Sequence, residues 1–124
     1  MKINTFDIDG VIYMGEEFTG VRPCRDDIII TGRPQEEFIE TQKMLKSRGI
    51  YNLLYMNPLK RTDPDYSRES SGRFKAKTIN TLIQEGYNIG MHFEDDLIQI
   101  KEIHKVHPTL DIIHMKRPDD ILNY

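Results

Sequence analysis

The chain has one cysteine, Cys24, so no disulfide can close within it. A lone thiol fits a reducing compartment. No apolar run approaches the roughly 20 residues that a membrane-crossing helix needs. No internal repeat and no low-complexity segment interrupts the sequence, which leaves neither a repeat array nor a biased tail to explain. Basic charge is not in excess: the net charge is -3. A general nucleic-acid coat is therefore not expected, although a local basic stretch can still grip phosphate. The opening Met1-Lys2-Ile3-Asn4 meets Asp7 and Asp9 too early for a secretory signal. These absences predict a cytoplasmic protein with no membrane partner.

What remains is a single domain, residues 1–124, long enough for one continuous core but not for a second domain of ordinary size. Short apolar runs at residues 3–8, 27–31, 51–56, 89–93 and 109–115, the second of them an isoleucine triplet, are bounded by turn residues, as buried strands of a parallel sheet would be. Helical stretches separate them. Pro34 opens one, with Glu36 and Glu37 favouring the positive end of its dipole and Gly49 as its stop. Phe38, Gln42 and Leu45 share its face. Ala76, Ile79 and Ile83 mark a second stripe, and Leu97, Ile100 and Ile103 a third that ends before Pro108. Alternating strands and helices predict an α/β fold: a three-layer αβα sandwich around a Rossmann-like parallel sheet of about five strands. Residues 13–26 and 57–73 read as irregular, the latter as a long polar loop.

In such sheets ligands sit at the carboxyl ends of strands, and four elements of this sequence follow strands or start helices. Asp7-Ile8-Asp9-Gly10 places two carboxylates where a strand ends and a glycine turn begins. Unpaired carboxylates beside apolar residues are costly, so a cation is expected, and oxygen ligands suit Mg²⁺. A carboxylate can also attack phosphorus, while a second one handles protons. A solvated acidic turn is the other reading. Thr31-Gly32-Arg33-Pro34 puts a hydroxyl and free backbone N–H groups together, either as a phosphate cradle or as an ordinary helix start. Lys75, or else Lys77, sits where an ammonium could neutralise a phosphoryl group. Glu94-Asp95-Asp96 follows an apolar strand; one of these acids can cap the next helix, but three exceed that need.

Taken together, in the order carboxylate pair, hydroxyl, lysine, acidic cluster, these elements resemble the haloacid dehalogenase superfamily in its phosphatase branch. The four motifs span most of the chain. The resemblance implies an Mg²⁺-dependent phosphatase that works through an aspartyl-phosphate. Asp7 would be the nucleophile and Asp9 the general acid/base. Thr31, Gly32, Arg33 and Lys75 would bind the substrate phosphate. Mg²⁺ would be held by Asp7, the backbone carbonyl of Asp9, Glu94 and Asp95. The acidic motif departs from the family's usual spacing, which leaves open which of Glu94, Asp95 and Asp96 are ligands. The linker from Asp9 to Thr31 is too short for a large cap domain. The expected partner is a phosphorylated small molecule, with a nucleotide or a nucleic-acid end among the candidates, in an open site. A phosphate- or nucleotide-binding module without catalysis is the alternative on the same fold.

Weaker signals are His104 and His107, read as a surface pair, and His92, read as a packed core histidine that can tune a neighbouring carboxylate. Cys24 is assigned no role.

Overall fold

The computed structural model describes residues 1–15 and 20–116. Five strands form one sheet, all pairings parallel: β1 (Lys2–Phe6), β2 (Ile28–Pro34), β3 (Leu54–Asn57), β4 (Asn88–Glu94) and β5 (Asp111–His114). Helices α1 (Phe38–Ser47), α2 (Arg68–Gln84) and α3 (Leu97–Val106) follow β2, β3 and β4 in turn. A 3-10 turn, Gln35–Glu37, precedes α1. No helix among the described residues is long and apolar enough to cross a membrane.

The isoleucine runs explain the layering. Successive side chains of a strand point to opposite faces, and β2 is buried on both: Ile28 and Ile30 join Ala76, Ile79 and Leu82 of α2 and Ile103 of α3. Ile29 joins Phe6, Ile8, Leu45 of α1 and Ile50 on the other side. The fold is thus an α/β sandwich with a Rossmann-like parallel sheet. Strand order is β3-β2-β1-β4-β5. The chain winds outward from β1 through β2 to β3, then returns to β4 and winds the other way. The direction of winding reverses between β1 and β4, and that crevice is where open α/β sheets take their ligands.

Several local expectations need correction. Residues 57–73 are not one long loop, because α2 already begins at Arg68. Ser67 caps it, accepting from the Ser70 N–H at 3.0 Å while Ser70 Oγ accepts from the Ser67 N–H at 2.8 Å. Pro34 ends β2 and precedes the 3-10 turn rather than opening α1 directly. On α1 the buried face is Thr41 and Leu45, with Phe38 exposed. On α2 it is Leu82, not Ile83, that continues the stripe from Ile79, and Leu97 of α3 faces out. His104 and His107 form no pair. Each ring engages a carbonyl, of Leu110 and Ala76 respectively, both at 3.1 Å.

Candidate active site

Asp7 leaves the end of β1 beside β4, and its N–H donates to the Phe93 carbonyl at 3.1 Å. Its side chain is nearly buried and faces Lys75, whose Nζ lies 3.1 Å from Asp7 Oδ1. Lys75 comes from α2, which crosses over the sheet between β3 and β4 and so brings a lysine far away in sequence to the crevice. Lys77 of the same helix is exposed. The Lys75 side chain is 1% exposed and reaches Glu94 Oε1 at 2.7 Å.

Glu94, at the end of β4, is fully buried. Its Oε1 also lies 3.1 Å from His92 Nε2, and His92 Nδ1 meets Thr5 Oγ1 at 2.7 Å. A neutral imidazole satisfies both contacts, donating from Nε2 to Glu94 and accepting at Nδ1 from the Thr5 hydroxyl. Burial pushes the His92 pKa down, in keeping with that neutral ring. Thr5, His92, Glu94, Lys75 and Asp7 thus form one buried polar chain.

The charges in that chain are unevenly supported. Burial opposes ionisation of Glu94, but Lys75 and then His92 overcome it and hold the carboxyl well below the usual carboxylate range. Burial likewise opposes the Lys75 ammonium, yet Asp7 and Glu94 keep its pKa above that of an ordinary lysine. Asp7 is the group left unsupported. Burial first, and then Glu94, push its carboxyl well above the usual range, although Lys75 pulls the other way.

Asp9 points elsewhere. Both of its oxygens are held by Arg33, Oδ2 by Nε at 2.8 Å and Oδ1 by Nη2 at 2.7 Å. The turn that carries Asp9 is closed by three N–H donors, of Val11, Ile12 and Tyr13, all on the Ile8 carbonyl. Gly10 sits in it with φ of 81°. A Cβ at Gly10 would come within 2.1 Å of Asp95 Oδ2. Glycine is therefore required twice, for its backbone and so that the Asp95 carboxylate can lie against the turn. Asp96, the next residue, caps α3 by accepting from the Ile98 N–H at 2.9 Å and pairs with Arg68 at 2.7 Å and 3.0 Å.

Thr31 is buried inside β2 rather than at a helix start, and its Oγ1 accepts from the Arg33 N–H at 3.1 Å. Gly32 lets α2 approach closely: an added Cβ would meet Ser71 Oγ at 2.8 Å. Its carbonyl accepts from the Tyr66 hydroxyl at 2.8 Å. Asp7, Asp9, Thr31, Gly32, Arg33, Lys75 and Asp95 all line one cleft of about 590 Å³, and Glu94 lies beneath it. Arg61 lines the same cleft, as do Tyr66, Ser71 and Gln99, and these last three were not singled out as site residues from sequence. Ser71 and Tyr66 had no motif to mark them. Their placement follows from where α2 starts.

Asp7, Glu94 and Asp95 each offer a carboxylate oxygen within 4.8 Å of the others, which suits a hard cation with oxygen ligands. Lys75 pairs with two of these acids, Asp7 and Glu94, and a divalent ion held by the three would add positive charge beside them. Glu94 Oε1 is committed to Lys75 and His92, so only its Oε2 is turned to other partners. Gln99 also lines the cleft, and its buried Oε1 has no hydrogen-bond partner among the described residues. The Asp9 carboxylate, held by Arg33, is not in the cluster.

No known family model, curated protein or solved structure matches the chain.

Proposed function

We propose that this protein is an Mg²⁺-dependent phosphomonoesterase of the haloacid dehalogenase type, acting through an aspartyl-phosphate on Asp7. One observation carries the reading: a nearly buried carboxylate, Asp7, at the strand-reversal crevice, beside a buried ammonium 3.1 Å away and within ligand distance of two further acids. A carboxylate beside both a lysine and a cation site can attack phosphorus while the positive charges stabilise the group being transferred.

In this reading Lys75 and the Thr31 hydroxyl receive the substrate phosphate. Asp7 Oδ attacks phosphorus, and the ester oxygen leaves with a proton from Asp9. Water then attacks the aspartyl-phosphate and gives its proton back to Asp9, regenerating the Asp7 carboxylate and releasing phosphate. Mg²⁺, when bound by Asp7 and Asp95, supplies positive charge that favours ionised Asp7 and screens the phosphate oxygens. Glu94 keeps Lys75 charged and in place. The cleft, of about 590 Å³, would take a nucleotide or a nucleic-acid end as well as a smaller ester.

The test is phosphate release with Mg²⁺ over aryl phosphates, nucleotides, sugar phosphates and 3′- or 5′-phosphorylated oligonucleotides. Turnover that disappears on chelation of Mg²⁺ and in Asp7→Asn is expected. Full activity in Asp7→Asn would remove Asp7 as nucleophile. Ester binding without turnover across the whole panel would make the protein a phosphate-binding module.

A further inference from the structure

Arg33, expected at the substrate phosphate from its position after Thr31-Gly32, is bonded to Asp9. The register of β2 against β3 runs Thr31 opposite Met56 and then Pro34 opposite Asn57. Gly32 and Arg33 are thus extra residues on β2, bulged out of the ladder, and a bulge re-aims the side chain it carries. The bulge is pinned from both sides, by the Arg33 N–H on Thr31 Oγ1 and by the Tyr66 hydroxyl on the Gly32 carbonyl. It turns Arg33 away from Lys75 and onto Asp9.

The guanidinium is fixed there by three of its nitrogens. Nε and Nη2 take the two oxygens of Asp9, and Nη1 lies 3.3 Å from Thr41 Oγ1, a hydroxyl buried on α1. Asp9 itself stands on a turn with its side chain 46% exposed, and among the described residues this fork is what defines its plane. Two parallel N–H···O bonds fix orientation as well as distance, which a lysine cannot do. A carboxylate has about four acceptor sites. Arg33 occupies one on each oxygen and leaves the others, on a residue that lines the cleft.

We propose that Arg33 is a positioning residue that aims the Asp9 carboxylate at the water that cleaves the aspartyl-phosphate. The inference rests on the phosphatase reading. In that step the water oxygen bonds to phosphorus, the bond from phosphorus to the Asp7 oxygen breaks, and the water proton passes to the Asp9 oxygen site that Arg33 leaves open. Arginine does not give up its proton at working pH, so it orients the base without replacing it.

An activated aryl ester separates this step from the first. p-Nitrophenolate leaves without needing a proton, so Asp7 can be phosphorylated even where Asp9 is poorly aimed. Stopped-flow mixing of p-nitrophenyl phosphate and Mg²⁺ with Arg33→Gln should give a stoichiometric burst of p-nitrophenol. A steady-state kcat reduced by about 100-fold should follow, the range expected for general-base help. KM should not rise, and acid quenching should trap phosphoenzyme. Arg33→Lys should behave like Arg33→Gln. Thr41→Val, which touches only the outer anchor, should show the same pattern to a smaller degree and serves if Arg33→Gln does not fold. A raised KM with kcat unchanged would make Arg33 a phosphate ligand and overturn the proposal. So would equal loss of burst and steady state. Wild-type protein that releases no p-nitrophenol would overturn the phosphatase reading itself, and the role of Arg33 with it.

Discussion

Lys75 Nζ lies 2.7 Å from Glu94 Oε1, and both side chains are removed from water, at 1% and 0% exposure. An ion pair in that position is not a cheap source of stability, because taking two charges out of water costs several kcal/mol per ion, and attraction only offsets it when the geometry is good. The chain has arranged that geometry with Asp7, His92 and Thr5 around the pair. Such an arrangement holds a charged lysine against a carboxylate at the mouth of the crevice, where an apolar pair would hold nothing.

Breaking the pair from one side should therefore be severe. Lys75→Met leaves Glu94 and Asp7 buried without their cation, and a loss of about 3–5 kcal/mol is expected. Adding Glu94→Gln to Lys75→Met removes the stranded charge and should recover part of that loss. Urea unfolding of the two single variants and the double variant measures the coupling. A loss of about 1 kcal/mol or less in Lys75→Met would put the pair with exposed ion pairs and contradict its burial.

Gly10 provides a second test, because it separates backbone strain from crowding. Gly10 and Gly15 both have positive φ, 81° and 94°. A Cβ at Gly10 would strike Asp95, whereas at Gly15 nothing among the described residues lies within 4 Å. Alanine at either site should cost about 1–2 kcal/mol for the left-handed backbone. Only Gly10→Ala should also displace Asp95. Calorimetric titration of Mg²⁺ should then show affinity lowered by about 10-fold or more in Gly10→Ala, the scale of a disturbed metal shell. Unchanged binding in Gly10→Ala would remove Asp95 from the proposed ligands.

The parts of the fold that depend on local pattern were legible. Short apolar runs marked the strands, and Gly49 stood just past the end of α1. The start of α2 was not legible, because Ser67, Arg68, Glu69, Ser70 and Ser71 read as loop. The helix starts there through its capping box, while its apolar stripe begins only near Phe74. At the candidate site, residues that follow strands could be picked out, since the sheet brings strand ends together. The Arg33–Asp9 fork could not. It depends on a bulge set by the register of β2 against β3, and no spacing in the sequence encodes a register shift. Thr5 was hidden for a related reason: its partner His92 lies directly across from it in the β1–β4 register, 87 residues later.

The loop between β3 and α2 gives a pH-dependent test. Arg61 ties it to the segment before α1: its N–H donates to Glu36 Oε1 at 3.0 Å, and its guanidinium grips both oxygens of Glu37. Arg61 and Tyr66 of this loop both line the cleft. The hydrogen bond from Arg61 holds the Glu37 carboxyl below its ordinary value of 4.5. A carboxyl depressed in the folded state stabilises above its unfolded value, and that contribution is lost as pH falls through the folded value. The tie should thus be complete near neutrality and loosen under acid. Hydrogen exchange of the amides at 59–66 should lose protection, relative to those of β2, between about pH 6 and about pH 3. Arg61→Gln should already show the looser loop at pH 6 and should flatten the dependence. If wild type and Arg61→Gln lose protection in parallel, the tie between Arg61 and Glu37 does not hold the loop.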